Sequence, residues 1–308
     1  MPIIPFTFPQ TFYPAAMPKC FLIDGLNLVF RCFYGIPLLN TQNFPTNAVF
    51  GVVKILSKIM ELEKPSQVAI FFDRGRDPNR QSLFPEYKAN RAEMPDPVKI
   101  QIPVAREFAG ALGCTVIERS GVEADDLIAS FAHKYQKNFK NIYIFSTDKD
   151  FAQCVGGNVY QIIPGSERDS VGHCLDRGGV WEKFGVYPEQ MVDYLSLIGD
   201  QADNIPGIRG VGPKIAGAWL KQFGNLDTLL SQIGAVKPAR FQSVLGGSGE
   251  LLRRNRQLIA LDRGIGDIYL EENAPDERAY DRLVELYQLT SLRKRRAGPQ
   301  WIQDNLFS

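Results

Sequence analysis

Nine carboxylates recur at the ends of short apolar or glycine-flanked stretches: Asp24, Asp73, Glu123, Asp125, Asp126, Asp148, Asp150, Asp200 and Asp203. Most come in close sets, E-A-D-D at 123–126, D-K-D at 148–150 and D-Q-A-D at 200–203. Gathered in one place, such acids raise one another's pKa unless cations intervene. Two divalent ions about 4 Å apart would neutralise them and suit phosphodiester hydrolysis. One would lower the pKa of an attacking water, and both would stabilise charge on the phosphate and the leaving oxygen. The chain has only two histidines, His133 and His173, so a histidine-rich site is excluded; oxygen ligands favour magnesium or manganese. The stretch at 199–214, GDQADNIPGIRGVGPK, adds a second signal. Its turn at Gly210, Val211 and Gly212 runs into a helix start at Pro213 and Lys214, where bare N–H groups suit a phosphate.

Each feature has a plainer use. Asp148 and Asp200 are well placed as helix caps, Glu123 and Asp126 as first-turn acids, and a glycine turn before a proline commonly links two packed helices. Their recurrence at successive element ends favours the metal reading.

The elements that must position them can be read from hydrophobic periodicity. Apolar runs at 20–24, 68–72, 114–118, 141–145 and 158–163 predict buried strands. Helical patterns lie between them, over 48–64 and 104–112 among others, and strands alternating with helices predict a parallel, doubly wound α/β sheet. Asp24, Asp73 and Asp148 then fall at the carboxyl edge, where such sheets bind ligands, and the E-A-D-D helix starts there too. From about residue 187 only helices are expected, over 188–198, 213–223, 251–261 and 280–292. Residues 74–103 are polar, basic and too long for an ordinary connection.

Composition bounds the rest. Net charge is +1, so any basic binding face must be offset by the acid cluster. Five scattered cysteines without a C-x-x-C pair argue against a disulfide scaffold or zinc ribbon and fit a reducing cytosol. No apolar run is long enough to span a membrane. Residues 1–18 read as a loosely packed proline-rich leader, within which Met17 is an alternative start.

The motifs LIDGLNLVFR, FFDRG, EYKANR, GVEADDLI, STDKDFAQ and LIGDQADNIPGIRGVGPKIA, in that order, resemble the 5′→3′ exonuclease domain of bacterial DNA polymerase I, within the flap endonuclease family. The resemblance covers 19–296, nearly the whole chain. It implies a PIN-like nuclease domain at 19–186, with a helical arch over the site at about 74–103, and a helix-three-turn-helix DNA-binding region at 187–308. All nine acids match metal-site positions of the family. Asp73, Glu123 and Asp125, with Asp24, are expected around one ion. Asp148, Asp150, Asp200 and Asp203 are expected around the other, with Asp126 supporting. Tyr87, Lys88 and Arg91 match positions near the scissile phosphate, where the two cations neutralise charge and Tyr87 can stack on a base. Arg31 matches a further basic position. Gly210, Val211, Gly212 and Lys214 match the turn that grips duplex phosphates without reading sequence, and whose carbonyls can also hold potassium.

The family reading implies a monomeric, cytoplasmic 5′ nuclease that acts on DNA with a 5′ flap or 5′ end at a duplex junction, and on RNA primers. It would work in replication and repair beside a DNA polymerase; the leader points to a stand-alone protein. A PIN-type ribonuclease would share the acids but has no use for the duplex-gripping turn. A non-catalytic DNA-structure-binding protein has no need of every acid, and a phosphorylated Asp24 lacks the D-x-D of such enzymes. The connection at 204–207 is expected to set how far from the gripped phosphates the cut falls.

Overall fold

The computed structural model describes residues 18–41, 43–165, 170–271 and 273–293. The expected leader lies outside the described residues, apart from Pro18. β1 (Lys19–Asp24) runs into α1 (Gly25–Gly35), a small hairpin of β2 (Asn40–Thr41) and β3 (Phe44–Pro45), and the long α2 (Asn47–Glu63). β4 (Gln67–Arg74) leads to α3 (Pro78–Leu83), α4 (Asp96–Lys99) and α5 (Gln101–Ala111). β5 (Thr115–Ser120), α6 (Ala124–Tyr135), β6 (Asn141–Phe145), β7 (Val159–Pro164) and β8 (Gly172–Leu175) complete the sheet. Its order is β5-β4-β1-β6-β7-β8, parallel except for the antiparallel edge strand β8, which periodicity did not reveal.

Non-alternating apolar runs belong to strands covered on both faces, and β1 and β4 are buried along nearly their whole length. Phe71 on β4 is fully buried and meets Phe131 of α6 edge-on, a burial that contributes about 1.5–3 kcal/mol. The chain lays β1, β4 and β5 in one direction, then returns to the other side of β1 with β6 and β7. The crossovers therefore part between β1 and β6, and a crevice opens beyond the carboxyl ends of these strands.

The rest is helical: α7 (Arg177–Phe184), α8 (Met191–Ile198), a two-residue hairpin of β9 (Gly199–Asp200) and β10 (Ile205–Pro206), then α9 (Pro213–Phe223), α10 (Leu226–Ser231), α11 (Arg240–Gly246), α12 (Gly249–Ile259) and α13 (Glu277–Leu286). α8 packs on α9 and α12, and their core takes in Ala152, Val155 and Tyr87 from the α/β part. α13 packs instead on α5, against the sheet. No helix among the described residues is long and apolar enough to cross a membrane.

The segment expected to form the helical arch, 74–103, carries the short helices α3 and α4. Asp77 caps α3 by accepting the Asn79 N–H at 2.8 Å, and Pro78 supplies the fixed φ of a first helical residue. Arg80, Phe84 and Tyr87 then pack inward, leaving residues 89–93 and 95–97 as the main exposed stretch.

Candidate active site

Acids at the carboxyl ends of the central strands are held by the starts of neighbouring elements. Asp24 closes β1 and caps α1: Oδ1 accepts the Asn27 N–H at 3.0 Å and Oδ2 the Ser146 hydroxyl at 2.9 Å. Burial, and then the charges of Asp148 and Asp73, push its pKa up to about 7. Asp73, at the exposed end of β4, accepts the Ala124 N–H at 2.8 Å and so ties that strand to the start of α6. In the first turn of α6, Asp125 is held well above the usual carboxylate range by burial and then by Asp148 and Asp24. Asp148 follows β6 and caps a 3-10 turn at Lys149–Cys154 through the Asp150 N–H, at 2.9 Å.

Asp150 marks the second half of the cluster. Its Oδ1 is buried and accepts no hydrogen bond. Burial, and then Asp148, push its pKa up to about 8, against the pull of Lys149. Asp150, Asp200 and Asp203 each offer an oxygen, all within 4.8 Å of one another. A buried carboxylate oxygen without a donor, facing two further carboxylates, is a costly arrangement that a cation relieves. The donor set is all oxygen, which fits a hard divalent ion. Lys149 answers part of the charge, with Nζ 2.6 Å from Asp200 Oδ2 and 3.6 Å from Asp150 Oδ1.

Asp200 and Asp203 are presented by the β9–β10 hairpin. A Cβ on Gly207 would lie 2.2 Å from the Ile198 carbonyl carbon, and one on Gly199 2.4 Å from the Gly207 nitrogen, so the two backbones touch as only glycines allow. Residues 86–91 are laced across this hairpin. The Lys88 N–H donates to the Asp203 carbonyl at 3.0 Å, Asn204 Nδ2 to Glu86 at 2.8 Å and Asn90 Nδ2 to Gln201 at 2.7 Å. Lys88 takes a left-handed φ of +57°, strain that such bonds over-determine and that gathers at functional sites.

These bonds aim a basic group into the acids. Lys88 Nζ lies 2.7 Å from Glu123 Oε2 and 3.8 Å from Asp203 Oδ2; burial works against its charge, but Glu123, Asp203 and Asp125 hold its pKa above the ordinary lysine value. Arg91 Nη2 lies 2.6 Å from Asp203 Oδ1, with half of its side chain in solvent. Tyr87 corrects an expectation. Its ring is buried, not free to stack on a base, because it packs into the core of the helical part. Its hydroxyl donates to Glu123 at 3.1 Å and Asp203 at 3.3 Å. Burial, then Glu123 and Asp203, keep that phenol protonated at any ordinary pH.

Two expected residues differ from the rest in their contacts. Arg80 takes both oxygens of Asp126, at 2.5 and 2.9 Å, and its Nη1 also reaches Glu123 at 3.0 Å, while the Asp262 N–H adds a third bond to Asp126 at 2.8 Å. Arg31, exposed on the outer face of α1, makes no hydrogen bond or ion pair among the described residues. Arg80, Lys149 and Ser146 were missed. The available signals were a basic residue at the first turn after D-P, a lysine between two acids, and a hydroxyl two residues before an acid it orients.

Downstream, the Ile208 carbonyl accepts the Val211 N–H at 2.9 Å, and Gly210 takes φ +81° at this turn. Val211 is buried beneath it, while Lys214 in the first turn of α9 is exposed. Gly212 caps α9 with φ −111° and open space around its Cα, so the left-handed position is Gly210, not Gly212. The N–H groups of Gly210 and Gly212 have no backbone acceptor among the described residues.

Two family descriptions match this chain in succession: 5'-3' exonuclease, N-terminal resolvase-like domain, over residues 19–185, and 5'-3' exonuclease, C-terminal SAM fold, over residues 186–281. A 5'-3' exonuclease of Aquifex aeolicus is 40% identical over 216 residues, covering 70% of this chain and 73% of the relative. A DNA polymerase I of Caldicellulosiruptor bescii is 36% identical over 272 residues, covering 87% of this chain but 32% of the relative. The fold is that of the bacteriophage T5 D15 flap endonuclease, solved with DNA and metal ions: TM-score 0.67, 22% identity, covering 88% of this chain and 99% of that one.

Proposed function

Because the chain belongs to the 5'-3' exonuclease family, we propose that it is a structure-specific 5′ nuclease that hydrolyses a phosphodiester near the junction of a duplex with a 5′ flap or 5′ end. The observation that carries this reading is the juxtaposition at Asp203. This carboxylate belongs to the oxygen cluster around Asp150, whose buried Oδ1 accepts no hydrogen bond, and it also pairs with Arg91 at 2.6 Å and Lys88 at 3.8 Å. A cation site and a phosphate-directed basic pair therefore share one wall.

Asp148, Asp150, Asp200 and Asp203 would hold one divalent ion, magnesium or manganese, and Asp24, Asp73 and Asp125, backed by Glu123, a second. When bound, such ions supply charge neutralisation at the phosphate and a lowered pKa for water. The remaining work falls to side chains. Lys88 stays charged and offers three donors that can turn from Glu123 to a phosphate oxygen. Arg91, half in solvent, can pair with the same phosphate on both edges. Tyr87 keeps its proton and fixes Glu123 relative to Asp203. Ser146 fixes the rotamer of Asp24 through its hydroxyl. The N–H groups at Gly210 and Gly212, with Lys214, suit the phosphates of the adjoining duplex, so binding there is independent of base sequence. In the cell the substrates would be flaps and RNA primers left beside a DNA polymerase, in the cytoplasm.

The test uses end-labelled 5′-flap DNA, blunt duplex and single-stranded RNA, each with magnesium or with EDTA. Magnesium-dependent cutting of the flap substrate near its junction is expected. Absence of that activity overturns the reading, and preference for plain single-stranded RNA replaces it with a ribonuclease.

A further inference from the structure

Helix α12, GELLRRNRQLI, carries three arginines, and the fold treats them differently. Arg253 is paired with Glu250 at 2.6 Å. Arg256 is paired twice, with Asp193 and Asp227, both at 2.7 Å. Arg254 has no carboxylate and makes no hydrogen bond among the described residues. Its guanidinium lies 4.1 Å over the ring of Phe84, and its Nε is buried without an acceptor. A guanidinium does not shed its proton to escape such a position, so the group keeps a charge that no carboxylate answers, and that charge favours an anion. Stacking on an aromatic face holds the group in one plane, the geometry that two-pronged pairing with a phosphate uses.

The place in the fold identifies that anion. Phe84 lies four residues before Lys88, at the base of the segment laced to the acid hairpin. Leu258, one turn along α12 from Arg254, gives its carbonyl to Arg80 Nε at 3.1 Å, and Arg80 Nη1 lies 3.0 Å from Glu123. Arg254 is thus about 6 Å along the helix from a contact that reaches the acid cluster. Resting on the nuclease reading, we propose that Arg254 clamps a backbone phosphate of the nucleic-acid substrate outside the cut site, while Arg253 and Arg256 serve the fold.

The test is fluorescence anisotropy of labelled 5′-flap DNA in EDTA, from 50 to 300 mM KCl, with wild type, Arg254→Gln and Arg253→Gln. Glutamine keeps a planar head over Phe84, and circular dichroism checks that each variant is folded. Arg254→Gln should weaken binding roughly tenfold and flatten the slope of log Kd against log salt by about 0.9, the loss of one phosphate contact. In magnesium its KM should rise with kcat retained. Arg253→Gln should change neither slope nor KM. An Arg254→Gln slope equal to wild type overturns the proposal, as do equal effects of the two variants. A wild type that binds flap DNA without cutting defeats the nuclease reading alone, and the slope still decides Arg254. A wild type that does not bind nucleic acid defeats both.

Discussion

Replacing Arg80 with alanine removes a side chain whose five N–H groups all have acceptors. Nε bonds Leu258 at 3.1 Å; Nη1 bonds Glu123 at 3.0 Å and Asp126 at 2.5 Å; Nη2 bonds Asp126 at 2.9 Å and Ala260 at 3.2 Å. Asp126 is only 4% exposed, so the change leaves a carboxylate buried with one backbone N–H and no cation. Removing one partner of a buried pair costs about 3–5 kcal/mol. The two freed carbonyls would add to that, but Arg80 and Ala260 line an open cavity of about 440 Å³, from which water can reach the Ala260 carbonyl. The expected loss is therefore about 4 kcal/mol, read as a lower urea midpoint at unchanged slope, in EDTA to remove any metal contribution. Asp126→Ala should lose a similar amount. The double variant should lose far less than the sum, with a coupling of at least about 2 kcal/mol, because the uncompensated charge leaves with its partner. An Arg80→Ala loss under about 1 kcal/mol, or additive single losses, would refute the account of Arg80 as the buried tie between α3, α6 and the end of α12.

Other outcomes follow from the same packing and charges. Asp24 and Asp150 sit at about 7 and about 8, above the ordinary carboxylate value of about 3.9, so in chelator they add stability below pH 4 that is lost as pH rises through those values. Asp150→Asn should gain more thermal stability over wild type in EDTA at pH 8.5 than at pH 5, and lose most of the stabilisation by magnesium; no pH trend in that difference would count against the buried-acid account. Gly210→Ala should cost about 1–2 kcal/mol in urea unfolding because its φ is +81°, whereas Gly212→Ala, at −111° with open space, should be neutral; equal costs would be the contrary result. Lys88→Met should lower kcat on flap DNA about 10²-fold with Kd little changed, and a wild-type kcat would remove Lys88 from the chemistry.

The positions of Asp24, Asp73 and Asp148 were legible because a carboxylate closing an apolar run is a local pattern, and a parallel sheet gathers such ends at one edge. Tyr87 was not. It lies in a polar, basic, proline-punctuated stretch whose local signal is solvent, and its burial comes from a core built by α8, α9 and α12 more than a hundred residues away. Arg80 was hidden for the same reason: nothing at 74–83 announces that Asp126 and two carbonyls at 258–260 will surround it. The structure also changes what the connection between Asp203 and the glycine turn at 210–212 means. As sequence, 204–207 reads as a spacer whose length could be varied. In the fold it is the closing strand of a hairpin, with Ile205 paired to Asp200 and the Gly199 and Gly207 backbones in contact. Asn204, at φ +59°, also holds the Glu86 carbonyl. Added residues would not slide the cut along the substrate; they would open the hairpin and misplace Asp200, Asp203 and Lys88 together. The spacing between the acids and the turn is therefore fixed by the same contacts that assemble the acids. An insertion after Ile205 should remove cleavage at every position, and a shifted but active product ladder would show that the hairpin is a spacer after all.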